Sequence, residues 1–226
     1  MTETRKIGIV TLVGLPAAGK TFFAKQFMKF LTKKDEFSCL HVCYDDLVSR
    51  KRQAEMAKQE LAEENKAWKE ARKHIADAVR DTLRLPVELD GEAADFAAKL
   101  KAQTPEPSKP LVVLVDDNNY YRSMRYAYHQ LARDCGAGFC QLHLLASQAE
   151  AAAANDARQE DERVPASVIK AMEAKLEAPD PLTNSWEQFS LALKVVGVER
   201  LDATFEMCQA LVQAAMDCPV QPLDDK

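Results

Sequence analysis

The chain has 226 residues, 47% of them hydrophobic and 29% charged, and a formal net charge of −5. That length suits one sizeable domain, and the composition excludes disordered, fibrous and low-complexity chains. The acidic balance excludes DNA or any nucleic acid held through overall charge, while leaving room for a local RNA contact. Six cysteines without C-x-x-C pairing and four scattered histidines predict neither a disulfide framework nor a zinc site, and point to a reducing, cytoplasmic compartment. No apolar run approaches the ~20 residues of a membrane-spanning helix, so no membrane partner is expected.

The first predicted element is a buried strand, residues 6–13, entering a glycine loop. Arg5-Lys6 and the apolar run after it also resemble the start of a signal peptide. The supposed cleavage region, however, falls inside the loop motif Gly14-Leu15-Pro16-Ala17-Ala18-Gly19-Lys20-Thr21. This matches G-x-x-x-x-G-K-[ST], which chance places on the order of once in a hundred chains of this length. Its glycines let the backbone wrap a phosphate, and loop amides and the following helix N-terminus attract the anion. Lys20 is expected to reach the β- and γ-phosphates and Thr21 to ligate Mg²⁺. With no N-K-x-D guanine signal in the chain, ATP is expected over GTP.

A helix over 21–31 follows, then a β-prone stretch over 39–44 ending in Asp45-Asp46. Residues 50–85 read as one long helix with a stripe of Leu61, Trp68, Ile75, Val79 and Leu83, its charged remainder being a solvated face. Pro86 and Asp90-Gly91 break it, a short helix occupies 92–101, and 104–110 is a loop. The aliphatic run 111–115 reads as a strand buried on both faces and ends in Asp116-Asp117. A helix over 121–135, strands over 139–145 and 190–196, and a closing helix over 202–216 complete the pattern. Alternating strands and helices indicate an α/β fold of the P-loop, nucleoside-kinase-like class, with a five-stranded parallel sheet. The expected organisation is one domain over 1–216, with a helical insert over 51–109 and a lid over 150–165, then a frayed tail over 217–226.

Ligands in such sheets sit at the carboxyl ends of the strands, where both aspartate pairs fall. Asp116, ending an aliphatic run, fits the Walker B position and is expected to hold Mg²⁺. Asp46 is then available to orient an acceptor hydroxyl and take its proton; the alternative for Asp45-Asp46 is helix capping. Arg158 and Arg163 lie where a lid would neutralise the transferring phosphoryl group, the alternative being a solvated surface helix.

Residues 116–126, Asp-Asp-Asn-Asn-Tyr-Tyr-Arg-Ser-Met-Arg-Tyr, go beyond a generic Walker B. They resemble the O-phosphoseryl-tRNA(Sec) kinase family, as do Gln130-Leu-Ala-Arg133, residues 138–142 and the loop 177–187 with its Pro, Asn and Trp-Glu. The resemblance is strongest over 7–46 and 111–196 and weak over 51–109. It implies ATP- and Mg²⁺-dependent phosphorylation of the seryl group on seryl-tRNA(Sec), in selenocysteine biosynthesis. It also implies Asp46 as the activating acid, since Asp46-Leu47 matches the family's Asp-Leu, and substrate contacts from Asn119, Tyr120, Arg122 and Arg125. Tyr120 and Tyr121 would stack on the acceptor end or pack internally. Two departures stand out. The family lid carries R-x-x-x-R, where this chain has Ala154 and Arg158, with Arg163 beyond as a substitute. The family's C-terminal tRNA-binding domain is expected to be absent here, or reduced to 203–216. Other readings are an Elongator-associated-type P-loop accessory ATPase, which shares an Asn-Tyr-x-x-x-x-Arg-Tyr stretch, and a small-metabolite kinase.

Overall fold

The structure is a computed structural model that describes residues 5–49, 51–53, 55–56, 66–103, 105–195 and 201–222. Five parallel strands, β1 (Ile7–Val13), β2 (Ser38–Cys43), β3 (Leu111–Asp116), β4 (Gly138–Leu145) and β5 (Ser190–Lys194), form one sheet in the order β2-β3-β1-β4-β5. The expected α/β architecture is present. β1 and β3 are almost wholly buried, which explains why they read as unbroken aliphatic runs rather than alternating ones.

Alternation along each strand divides the interior into two cores. Ile9, Val42, Leu111, Val113, Val115 and Phe139 face one side. Helices α3 (Lys66–Thr82), α4 (Gly91–Lys101) and α5 (Arg122–Asp134) cover it through Ile75, Val79, Phe96, Leu100, Tyr128 and Leu131. Val10, Leu12, Val112, Leu114, Leu142 and Leu144 face the other, beneath α1 (Lys20–Lys33) and α8 (Asp202–Asp217), which contribute Phe23, Phe27, Leu31, Phe205 and Val212. Phe23, Phe27, Phe30 and Phe205 form an aromatic cluster with ring centroids 5.4–6.5 Å apart.

Several boundaries differ from the sequence reading. Tyr44 leaves the strand and opens a four-residue helix, α2 (Tyr44–Leu47), because its ring is buried in the first core while its hydroxyl meets that of Tyr128 at 2.8 Å. Part of the predicted 50–85 helix, including Leu61, lies outside the described residues; the described helix runs from Lys66. Asp90 caps α4 by accepting from the Ala93 amide at 3.1 Å. Two helices occupy the polar stretch after β4: α6 (Gln148–Asp156), started by a Ser147–Glu150 capping box, and α7 (Ala166–Lys175). The tail is not frayed from residue 217. Asp217 ends α8 and pairs with Lys6 at 2.7 Å, and the Val220 amide donates to Ala137 O at 2.9 Å. Among the described residues, no helix is long and apolar enough to cross a membrane.

Candidate active site

The carboxyl ends of β1, β2 and β3 converge on the glycine loop. Gly14 has φ 148° and Gly19 φ 84°, and a Cβ on Gly14 would lie 2.7 Å from Leu144 O, so both position and space demand glycine at residue 14. Ala17 holds φ 63°, a conformation costly for a residue with a Cβ and typical of ligand-gripping loops. Gly19 precedes α1 without any side-chain cap, leaving the first amides of that helix for an anion. The loop is also clamped from both flanks. The Gly14 amide donates to Asn118 O at 3.0 Å, and Leu15 and Ala18 pack with Ala151 of α6 and Ile169 of α7.

Lys20 is buried, its ammonium donating to Gly14 O at 3.1 Å and Leu15 O at 2.6 Å. Burial lowers its pKa to about 8, against opposing pulls from Asp116, Asp117 and Asp45 and with a further push down from Arg158. This loop therefore holds a cation that is short of negative partners, which is what a polyphosphate supplies. A bound polyphosphate favours the ammonium and raises the pKa again. Nucleotide binding between pH 8 and 9 is accordingly expected to take up a proton at Lys20. Calorimetry in buffers of different ionisation heat measures that uptake; proton release, or no exchange, contradicts it. Affinity is expected to fall as pH rises through about 8, as the unliganded lysine becomes neutral.

Asp116 ends β3, is buried at 4% exposure and accepts from His41 Nε2 at 3.1 Å. Asp117 lies beside it and is held by Arg72 Nε at 3.3 Å. Thr21, in the first turn of α1, is half-buried. A threonine hydroxyl and a carboxylate are hard oxygen donors, a donor set that fits Mg²⁺. Asp45 and Asp46 are both exposed on α2. Although its side chain is open to solvent on one side, partial desolvation pushes the Asp45 pKa up, as do Asp117 and Asp116, against the pull of Lys20 and Arg158. Its field thus reaches both cations of the site. Neither side chain is the N-cap of α2, whose cap residue is Cys43 with no side-chain bond, so the capping alternative does not hold.

Arg158 follows α6, and its charge acts on both Lys20 and Asp45, so this arginine lies near the phosphate loop. Asn155 joins α6 to the segment before α7, exchanging two 2.8 Å hydrogen bonds with the Val164 backbone. Arg163 has another job: its guanidinium donates to Arg158 O at 3.1 Å and Asp156 O at 2.8 Å, closing the carboxyl end of α6. Ala154 sits one turn before Arg158, half-buried.

The expected substrate group divides. Asn119, 1% exposed with φ 43°, donates to Leu12 O at 2.8 Å, and so pins the segment after β3 to β1. Arg125 is fully buried, bonded to Glu187 Oε1 at 2.8 and 3.3 Å and to Asn119 O at 3.1 Å. Neither is exposed to a substrate, which corrects the expectation: both build the floor behind the site. Tyr120 is also buried, its ring 4.2 Å from that of Tyr121. Arg122 alone of the four is exposed, donating to Asn184 Oδ1 at 3.2 Å. Glu187 further accepts from the Asp180 amide at 2.9 Å, so the buried pair anchors the 177–187 loop to α5. Breaking a buried pair strands the other charge, so Arg125→Met should cost about 3–5 kcal/mol, read from chemical denaturation. A cost under about 1 kcal/mol contradicts this anchoring role.

Arg72 was missed by the sequence reading. It occupies the apolar stripe itself, at spacing 4 from Trp68 and 3 from Ile75, and stacks 5.5 Å from the Trp68 ring. A charge inside a stripe was the available signal. Asn118 gave none, since it acts through its backbone carbonyl.

Residues 9–179 match a family described as AAA domain. L-seryl-tRNA(Sec) kinase of Mus musculus is 30% identical over 97% of this chain and 67% of that protein. The Homo sapiens enzyme of the same name is 30% identical over 98% and 69%. Among solved structures, Chaetomium thermophilum Kti12 in complex with ADP-AlF3 covers 93% of this chain and 96% of its own, with TM-score 0.58 and 19% identity. Mycobacterium tuberculosis APS kinase CysC with AMPPNP and APS covers 93% and 99%, with TM-score 0.57 and 15% identity. The last two share the fold. A phosphate loop with a buried lysine, acids at two strand ends and kinship to named kinases over nearly its whole length together make this chain a P-loop kinase that belongs to the L-seryl-tRNA(Sec) kinase family.

Proposed function

We propose that the protein transfers the γ-phosphoryl group of ATP to the seryl hydroxyl of seryl-tRNA(Sec), giving O-phosphoseryl-tRNA(Sec) and ADP. The observation that supports this most is the joint match in sequence to the seryl-tRNA(Sec) kinases and in geometry to an acceptor site, with exposed Asp45-Asp46 opposite the Lys20 loop and Arg158. The seryl oxygen attacks the γ-phosphorus, its proton passes to Asp46, and the bond to the β,γ-bridging oxygen breaks as ADP leaves. Asp46 is exposed and open to an incoming hydroxyl, and the family resemblance of Asp46-Leu47 favours it over Asp45. Asp45 steadies the cations Lys20 and Arg158. Loop amides and Lys20 bind the phosphates, and Arg158 offsets charge on the transferring group. Mg²⁺, held by Thr21 and Asp116, supplies charge neutralisation at the phosphates when bound.

With Ala154 in place of a second lid arginine and Arg163 committed to carbonyls, Arg158 carries the lid chemistry alone. Arg158→Ala is expected to lower kcat about 10²–10³-fold while changing KM much less. A rise in KM with kcat intact would contradict this. The overall reading is tested by acceptor dependence of ADP release: a kinase is accelerated by seryl-tRNA(Sec) with one phosphoseryl product per ADP. An accessory ATPase releases ADP and inorganic phosphate without phosphorylating the acceptor, and a metabolite kinase ignores the tRNA.

A further inference from the structure

His41 and Cys43 are two residues apart on β2, so their side chains share one face of the sheet, and Cys43 is the register partner of Asp116 on neighbouring β3. Their donor atoms, one each from imidazole, thiol and carboxylate, all lie within 4.8 Å of one another. His41 and Asp116 are already in contact at 3.1 Å. Tetrahedral zinc, with bonds of about 2.0–2.3 Å, separates its donors by roughly 3.3–3.7 Å, so the trio needs to contract by about 1.5 Å at most.

The surroundings hold the three in place. Cys43 and Asp116 are buried at 3% and 4% exposure, while the His41 side chain keeps a path to solvent at 11%. At His41 the edge strand is sealed by Gln103, which accepts from the His41 amide and donates to its carbonyl, both at 2.8 Å. Burial and Asp116 hold the thiol protonated, so a metal that binds must displace that proton. Hard Mg²⁺ has little use for sulfur or imidazole; Zn²⁺ and related soft divalent ions prefer both.

The geometry points to a second metal site, His41–Cys43–Asp116, that takes a thiophilic divalent cation of the Zn²⁺ class and shares Asp116 with the Mg²⁺–nucleotide site. Three protein donors leave a fourth position open to water or a phosphate oxygen. A soft ion here removes Asp116 from the phosphate site, so the two occupancies exclude each other. The shared-carboxylate part rests on the proposed role of Asp116; the metal site itself does not. Cysteine spacing alone gives no sign of this trio, because one donor comes from another strand, about seventy residues away in sequence.

The test uses nucleotide-free full chain titrated with Co²⁺, which reports a bound thiolate by charge-transfer absorption in the near ultraviolet. One equivalent is expected to saturate that band in the unaltered protein. Cys43→Ser should abolish the band, His41→Gln should weaken binding at least tenfold, and Cys218→Ser should leave it unchanged, with melting curves confirming that each variant is folded. Zn²⁺ should displace Co²⁺, read against a chromophoric chelator. Absence of the band in the unaltered protein, or its persistence in Cys43→Ser, overturns the site. Pre-bound MgATP should lower Co²⁺ affinity at least tenfold; unchanged affinity leaves the metal site standing and overturns the sharing of Asp116.

Discussion

Lys20→Ala is expected to abolish phosphoryl transfer while leaving the fold intact. The ammonium is buried in the loop, where it donates to the Gly14 and Leu15 carbonyls, and no side-chain carboxylate among the described residues bonds it directly. It is therefore placed for a ligand, and removing it deletes a positive charge where the β- and γ-phosphates gather. Because transition-state charge is larger than ground-state charge at that point, turnover should fall further than ATP affinity. Losing one positioned donor at a developing charge costs about 10²–10³ in kcat, and deleting a full positive charge here is expected to cost at least that. The same burial that lowers its pKa means the empty protein pays for holding the cation. The alanine variant should then be as thermally stable as the parent, or more so, in the absence of nucleotide. Near-normal turnover in this variant would remove the phosphate-loop assignment.

The second large effect concerns the acid after β2. Asp46→Asn keeps size and polarity but cannot accept the seryl proton, so kcat should fall about 10²–10⁴-fold with ATP affinity little changed. Asp45→Asn should act differently. Its carboxylate acts on Lys20 and Arg158, so its loss should alter ATP affinity and the pH dependence of binding more than the chemical step. If the two phenotypes are exchanged, Asp45 is the base. If both variants keep full turnover, the acceptor is activated from elsewhere in the cleft.

The strands and the phosphate loop were legible because both are written locally. An aliphatic run buried on both faces, or a glycine pattern between strand and helix, needs no knowledge of distant residues. The position of Asp116 at the end of β3 was legible for the same reason. What escaped depends on partners far along the chain. Asn119 and Arg125 carry the motif that reveals the family, yet Leu12 and Glu187 decide that they face inward. Arg72 belongs to the charged remainder of a stripe defined by apolar residues alone, and its partner Asp117 lies 45 positions away. Arg163 resembled a lid arginine in composition; only the carbonyls at the end of α6 show how it is spent. Helices α6 and α7 were hidden by an alanine-rich, polar stretch whose buried contacts, Ala151 and Ile169, meet the loop residues Leu15 and Ala18.

The most direct test of the central claim is transfer of labelled phosphate from ATP to seryl-tRNA(Sec), run beside seryl-tRNA(Ser) and free serine. The account predicts label on seryl-tRNA(Sec), recovered as phosphoserine after deacylation, and lost in Lys20→Ala and Asp46→Asn. Free serine should remain unlabelled. Equal labelling of free serine, or ATP hydrolysis with no label on seryl-tRNA(Sec), would contradict it.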